Sequence, residues 1–265
     1  MRISVENASF GYRPDEDLFV GLDFSLPSGR IMSILGPNGI GKTTLLKCLV
    51  GTLDWRTGRA LFDGRDLSYF KKRKEFPLGY VPQAHNSSFP YSVEDMVVMG
   101  RARFISLFSV PTAHDREMAE AAMKTVGVWD IRHRRCDQLS GGQLQLVFIA
   151  RALAGQPGIL VLDEPESHLD FKNQFFILEL IQELASSQGL TCIMNTHYPQ
   201  HALRISDVTL LLSRTEHLFG ETSRVITEAN IRRWFEVDSS VSTLPYRGES
   251  IKTFAVLGLV GADQG

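Results

Sequence analysis

Cysteine is scarce in this chain: three in 265 residues, Cys48, Cys136 and Cys192, with no C-x-x-C pair. Cysteines so few and so far apart read as free thiols in a reducing compartment, not as a disulfide framework or a zinc site. Long apolar runs are missing too. No stretch approaches the ~18 residues that a membrane-spanning helix needs. The start, Met1-Arg2-Ile3-Ser4-Val5-Glu6, lacks the apolar core of a signal peptide. The expectation is a protein that works beside a membrane if one is involved at all. Excess positive charge is also absent. With 28 Lys and Arg against 30 Asp and Glu, the formal net charge is -2, unlike the basic balance of a general nucleic-acid binder. Neither an internal repeat nor a low-complexity linker interrupts the chain. What remains is a composition of 43% hydrophobic and 22% charged residues, ordinary for a globular protein with a sizeable core, in one large domain or two small ones.

The most informative stretch present is Gly36-Pro37-Asn38-Gly39-Ile40-Gly41-Lys42-Thr43-Thr44. It fits G-x-x-x-x-G-K-[ST] and lies between a strand-like run, Arg30 to Leu35, and an apolar helix-like run, Leu45 to Val50, the context a P-loop requires. Its glycines let successive backbone N–H groups point into one concavity, and the following helix adds its positive end, so phosphate oxygens are held there. Lys42 supplies a charge for the β- and γ-phosphates, and the Thr43 hydroxyl is placed to ligate Mg²⁺. The pattern implies a nucleoside triphosphate site.

Before this loop, residues 2 to 35 alternate apolar and polar positions between turn signals at Arg13-Pro14-Asp15 and Pro27-Ser28-Gly29, which predicts antiparallel strands. Arg59 to Phe62 reads as a strand turning at Asp63-Gly64, and Leu78 to Gln83 as a strand ending in proline. The basic run Lys71-Lys72-Arg73-Lys74 reads as a solvated helix face rather than a targeting or nucleic-acid patch. From about Asn86 to Ala154 helices are expected, with Ser92 as a cap and a helix from His114 to Val126. Strand–helix alternation then resumes: Gly158 to Asp163, a helix Phe171 to Ser187, Leu190 to Asn195, a short helix Pro199 to Ile205, and Val208 to Leu212. That alternation implies a parallel sheet covered on both faces, interrupted by a helical block. After Ser213 the expectation is a strand pair around Phe219-Gly220-Glu221, a helix near Glu228 to Phe235 with Trp234 and Phe235 in the core, and one last strand, Ser250 to Leu257, before a Gly-containing tail.

Two further motifs carry chemistry. Ile159-Leu160-Val161-Leu162-Asp163-Glu164 is an apolar strand ending in two carboxylates at the sheet edge where ligands bind. Beside a P-loop, Asp163 would hold Mg²⁺ and Glu164 would reach the water that attacks the γ-phosphate. In Leu139-Ser140-Gly141-Gly142-Gln143, Ser140 caps a helix running from Leu144 to Leu153, and the glycines leave N–H groups open as a second anion site. One domain needs only one phosphate cradle. A second makes sense if it closes over the nucleotide of another copy.

These motifs, Ser-Gly-Gly-Gln between the P-loop and the acidic strand end, give the chain a resemblance to the ATP-binding subunits of ABC transporters over nearly its whole length. The resemblance implies an α/β fold: a P-loop NTPase core with an antiparallel β subdomain and an inserted α-helical subdomain. In this chain the core is expected at residues 1–85 and 155–235, the helical subdomain at 86–154 and a short C-terminal extension at 236–265. It implies nucleotide binding by Gly36 through Thr44 and by Ser140, Gly141, Gly142 and Gln143, with ATP and Mg²⁺ as ligands. Tyr12 resembles the aromatic that stacks on adenine, although the sequence alone favours a core tyrosine. Gln83 matches the glutamine that touches Mg²⁺ and the attacking water and reports to the membrane partner. Ser167-His168-Leu169-Asp170 resembles the loop through which two ATPase subunits sense each other. His197 matches the histidine that contacts the γ-phosphate, where by itself a strand-end histidine reads as a structural hydrogen-bonder. The catalytic set is then Lys42, Gln83, Glu164 and His197, and the metal set Thr43, Gln83 and Asp163. Two copies would pair head to tail as an ATP-driven clamp.

Within that family the chain is most similar to importers of metal chelates: iron-siderophore, haem, cobalamin and, in some members, molybdate. The residues are Pro90-Tyr91-Ser92-Val93-Glu94-Asp95-Met96-Val97-Val98-Met99-Gly100-Arg101 and Pro111-Thr112-Ala113-His114-Asp115. The first segment would line the groove that receives a short permease helix, while Phe89, Met96 and Met99 as helix core explain much of the same pattern. The implied partners are a second copy, integral-membrane permease subunits and, indirectly, a substrate-binding protein, with no nucleic acid. The implied place is the cytoplasmic face of the cell membrane, as a peripheral subunit. Ile40, Leu144, Leu146, Glu166 and Tyr198 depart from the usual family residues, and none of them is Lys42, Asp163, Glu164 or Ser140. Arg132-His133-Arg134-Arg135 reads as a solvated face, with lipid headgroups or the permease as the other reading. An exporter would share all this nucleotide chemistry. A soluble ABC ATPase acting on nucleic acid or ribosomes fits less well, because Lys42 to Ser140 leaves no room for a coiled-coil insertion and the chain holds one cassette.

Overall fold

Alternating burial organises the N-terminal part. In β1 (Ile3–Phe10) the side chains of Ile3, Val5, Ala8 and Phe10 turn inward, and β2 (Phe19–Leu26) returns antiparallel to it. The computed structural model describes residues 1–73, 77–83, 90–106, 108–214 and 216–260. The fully buried β3 (Ile31–Leu35) leads into the P-loop and α1 (Lys42–Leu49). Then come β4 (Thr57–Phe62), β5 (Arg65–Asp66), α2 (Leu67–Arg73) and β6 (Leu78–Val81). The basic run falls at the end of α2, with Lys74 outside the described residues; so do Phe89 and Asn86, where the helical block was expected to begin.

The helical block holds α3 (Val93–Val98), α4 (Ala113–Thr125) and α5 (Gly141–Ala154), each started by a hydroxyl cap. Ser92 accepts from the Asp95 N–H as expected, and Thr112–Asp115 and Ser140–Gln143 form reciprocal capping boxes, which satisfy N–H groups that a helix start leaves open. Alternation then returns as β7 (Ile159–Asp163), α6 (Phe171–Gln188), β8 (Thr191–Asn195), α7 (Pro199–Ile205), β9 (Val208–Leu212) and β10 (His217–Glu221). The chain ends in α8 (Thr222–Val225), α9 (Glu228–Phe235), β11 (Val237–Tyr246) and β12 (Glu249–Leu259).

The strands form an antiparallel sheet, β2-β1-β4-β5, and a larger sheet, β10-β9-β3-β8-β7-β6, parallel except for the edge strand β10. Alternate residues of the parallel strands feed opposite cores. Leu160, Leu162, Cys192 and Met194 pack with the helical block and α6, while Ile159, Val161, Ile193 and Ile34 pack with α1 and the antiparallel sheet. A strand buried on both faces must be apolar throughout, which is why these segments read as continuous runs. The register pairs Asp163 with Asn195 and Asn195 with Ile34, so the carboxyl ends of β7, β8 and β3 finish side by side.

Two expectations about the C-terminal part fail. Among the described residues no strand pair turns at Phe219-Gly220-Glu221; one strand, β10, runs through these residues and pairs back onto β9. The last segment holds two strands rather than one, because β11 and β12 form a hairpin. Its turn is Arg247-Gly248, both with positive φ (51° and 84°), a geometry suited to a two-residue hairpin turn. Arg-Gly is a weak turn signal in sequence, and the serines of Asp238-Ser239-Ser240-Val241-Ser242 hide the alternation of β11. Trp234 is buried and Phe235 half-buried, as expected for the late helix.

Candidate functional site

The loop between β3 and α1 is held by a reversal that suits glycine. Gly41 takes φ 105°, a left-handed conformation costly for residues with a side chain, just ahead of the first helical residue, Lys42. Lys42 is buried, and its Nζ donates to the carbonyls of Gly36 (2.8 Å) and Pro37 (3.1 Å) inside the loop. Burial pushes the Lys42 ammonium below its usual pKa, while Glu164 and Asp163 nearby pull it back up. The buried cation therefore stands where phosphate charge would compensate it. Ile40, a departure from the usual family residue, is buried in the core beside α1.

At the adjacent strand end, three donors converge on Asp163. The Thr43 hydroxyl donates to Oδ1 at 3.0 Å, Asn195 Nδ2 to the same oxygen at 2.6 Å, and the Tyr80 phenol to Oδ2 at 2.9 Å. Burial, and then the Asp163 charge, push the Tyr80 phenol well above its usual range, which keeps it a donor. Sequence reasoning missed both Tyr80 and Asn195. Asn195 did leave a signal, a polar residue closing an apolar strand in the manner of Asp163. Nothing in Leu78-Gly79-Tyr80-Val81 marks Tyr80.

Glu164 sits one residue beyond β7 with φ 48°, a left-handed conformation uncommon for a non-glycine residue, and its N–H donates to Asn195 Oδ1 at 2.5 Å. Its carboxylate accepts from His197 Nε2 (2.6 Å), Ser167 Oγ (2.9 Å) and Gln83 Nε2 (3.2 Å). Three of the sequence candidates, Gln83, Ser167 and His197, thus meet on the side chain of a fourth, Glu164. Thr43 and Asp163, in contact beside the phosphate loop, offer oxygen ligands of the kind Mg²⁺ takes, which fits such an ion shared with substrate phosphates, and Gln83 stands next to them on Glu164. Among the described residues no cluster of three or more His, Cys, Asp or Glu forms a separate cage.

Tyr12 is 66% exposed, so it is not a core tyrosine. Its ring packs edge-on against Phe10 (5.0 Å between centroids), and its hydroxyl lies 3.0 Å from Thr44 Oγ1, beside the start of α1. Ser140, Gly141, Gly142 and Gln143 stand elsewhere. Ser140 is exposed, its hydroxyl accepts from the Gln143 N–H (3.3 Å), and Gln143 Oε1 accepts in return from the Ser140 N–H (3.2 Å). Among the described residues no hydrogen bond joins this turn to residues 36–44 of the same chain. Its neighbours are Leu169, next to Gly141, and Asn173, against Gly142. In the same stretch His168 takes φ 62°, and Asp170 caps α6, where the Asn173 N–H holds its carboxyl below the usual range. Leu144 is buried in the helical core, which accounts for an apolar residue there.

The helical block also decides among the surface readings. Met96 is core, whereas Tyr91 and Met99 are exposed, as are Phe104 and Phe108. Met99 and Gly100 border an open groove of about 550 Å³ whose other wall includes Phe70, Leu78 and Tyr80. His133, Arg134 and Arg135 are exposed, and Arg132 covers the Trp129 ring (4.2 Å).

Comparison with known proteins agrees in one direction. A family model described as ABC transporter matches residues 19–167. The molybdate import ATP-binding protein MolC of Haemophilus influenzae is 36% identical over 255 residues, 96% of each chain. The manganese transport system ATP-binding protein MntA of a Synechocystis species is 34% identical, covering 88% of this chain and 89% of that one. A solved structure described as an inward-facing conformation of a metal-chelate type ABC transporter superposes with a TM-score of 0.87, at 36% identity and 96% coverage of both chains.

Proposed function

The chain belongs to the ABC transporter ATP-binding family, and from that membership we propose that it powers the import of a metal complex through a separate membrane permease. It is an ATPase, converting ATP and water to ADP and phosphate. The observation that carries the assignment of roles is the convergence of Gln83, Ser167 and His197 on Glu164, one residue past Asp163.

In this reading the P-loop N–H groups and Lys42 bind the β- and γ-phosphates, and Tyr12 covers the adenine. Thr43, Asp163 and Gln83 hold Mg²⁺, which when bound neutralises charge on the phosphate oxygens. Tyr80 and Asn195 orient Asp163. Glu164 takes the proton of the attacking water as general base, and His197 both orients Glu164 and reaches the γ-phosphate. Release of phosphate removes the group that both halves of the site would share. Ser140, Gly141, Gly142 and Gln143 serve the nucleotide of a second copy, head to tail; the exposure of Ser140 and, among the described residues, its lack of a hydrogen bond to residues 36–44 support this. Ser167 ties the loop 167–170 to Glu164, so each copy senses its partner's nucleotide through that loop.

The groove between Met99 and Phe70 suits a short permease helix, and Tyr80, which lines it, links its wall to the nucleotide site through Asp163. Among the described residues no helix is long and apolar enough to cross a membrane; the peripheral place on the cytoplasmic face follows from the proposed role beside a permease. A chelated metal such as an iron-siderophore complex is the cargo favoured by the Pro90–Arg101 segment and by the metal-chelate type structure. Molybdate or a related oxyanion is the second reading, favoured by the similarity to MolC. Affinity purification from native membranes with mass spectrometry tests the proposal. A co-purifying polytopic permease upholds it and narrows the cargo through the permease's own family. Soluble partners or ribosomal proteins alone would overturn the import role and leave the ATPase.

A further inference from the structure

The loop after β7 carries a second glutamate with a different fate. Glu166 is fully buried, and its Oε2 has no hydrogen-bond partner among the described residues. Burying a carboxylate with an unbonded oxygen is unfavourable, and an apolar side chain of similar volume would fill the space at less cost to stability. Packing alone gives no account of it.

Its other oxygen does. Glu166 Oε1 accepts the Thr196 hydroxyl, and His201 Nδ1, on α7, lies 3.4 Å from the same atom. With its proton committed to Glu166, the Thr196 oxygen is turned to accept the Tyr198 N–H at 3.1 Å. The Thr196 N–H donates to Ile34 O in the strand that enters the P-loop (3.1 Å). Beyond, the Tyr198 ring packs on His201 (4.7 Å) and the Tyr198 carbonyl accepts the His201 N–H (3.0 Å). Both neighbours of His197 in the chain are therefore fixed, and His197 is left aimed at Glu164.

We propose that Glu166 is a positioning residue for ATP hydrolysis: through Thr196 it sets the backbone of 196–198 and so aims His197 at Glu164 and the γ-phosphate. The two glutamates of one loop grip the same segment at two points, Glu164 on the imidazole and Glu166 on the residue before it. The inference rests on the role given to His197 above.

The test compares Thr196→Val, which keeps the shape and removes the hydroxyl, with Thr196→Ser, which restores it. Steady-state hydrolysis, equilibrium binding of a fluorescent ATP analogue and the melting temperature are measured for each. Thr196→Val should lower kcat roughly 10- to 100-fold through misaimed chemistry, with ATP affinity and KM nearly unchanged, and Thr196→Ser should recover most of the rate. Combined with His197→Ala, Thr196→Val should slow the enzyme no further, because both act through one residue. Glu166→Met should repeat the Thr196→Val defect, and Glu166→Gln, which keeps an acceptor oxygen, should be mild. The Thr196 variants keep the test decisive if Glu166→Met fails to fold.

A normal kcat for Thr196→Val, a multiplicative loss in the double variant, or a joint fall in affinity and melting temperature overturns the inference. A normal kcat for His197→Ala instead removes the underlying role of His197.

Discussion

His197 Nε2 lies 2.6 Å from Glu164 Oε1, so the segments that follow β8 and β7 meet on one carboxylate oxygen. The strand order sets these two ends side by side, and the Asp163–Asn195 register keeps them level. Whatever moves one segment is felt by the other.

Glu164→Gln keeps the side-chain volume and removes the carboxylate proposed as the base. Phosphate release should fall by roughly 10²–10⁴-fold, and the variant should persist as an ATP-bound dimer in size-exclusion chromatography with nucleotide. Brisk turnover would eliminate Glu164 as the base.

Ser140→Arg adds bulk and charge at an exposed helix start that, among the described residues, has no hydrogen bond to the P-loop of its own chain. Nucleotide-dependent dimerisation should be lost while the monomer still binds ATP, measured by light scattering beside equilibrium binding. Equal loss of both would argue against a composite site.

Tyr80→Phe removes one of the three donors to Asp163. Losing an outer partner of a metal-binding carboxylate weakens metal affinity by roughly 10–100-fold. The Mg²⁺ concentration that supports half-maximal nucleotide binding and hydrolysis should rise accordingly, with little change in melting temperature. An unchanged Mg²⁺ titration would remove Tyr80 from the site.

Arg101 and Asp115, both buried, tie α4 to the end of α5: Arg101 Nε donates to Asp115 Oδ1 at 3.1 Å and Nη1 to the Ala154 carbonyl at 2.9 Å. Hydrogen bonds from the Thr112 hydroxyl and N–H, helped by Arg101, lower the Asp115 carboxyl from 3.8 to about 2. A depressed acid contributes stability above its unfolded pKa, and that contribution is lost as pH falls from 3.8 toward about 2. Asp115→Asn should flatten this part of the acid-unfolding profile, and Arg101→Ala should lower the melting temperature at neutral pH by several degrees. Thermal melts followed by circular dichroism across that range would show an unchanged profile if the pair were idle.

All three cysteines are buried. Burial pushes the Cys192 thiol up to about 12; burial together with Asp54 does the same to Cys48, and Cys136 is raised as well. Only the thiolate is reactive. A thiol reagent at neutral pH should therefore leave the native protein unlabelled and modify all three residues after denaturation. Rapid native labelling would contradict their burial.

The sequence by itself determined whatever is local or periodic. The P-loop spacing, the apolar strands and the acidic end of β7 are written in neighbouring residues, and the hydroxyl caps at Ser92 and Ser140 find their partners in backbone N–H groups three positions on. It failed where the signal was faint, at the Arg247-Gly248 turn and the serine-rich β11, and where a side chain could go either way, as with Tyr12. Only the tertiary structure decided which distant groups share an oxygen: Tyr80 and Asn195 with Asp163 across 83 and 32 positions, and Thr196 with Glu166 across 30. Those pairings depend on strand order and register. A parallel sheet buried on both faces gives every strand the same apolar appearance, so the sequence does not reveal which strand ends lie side by side.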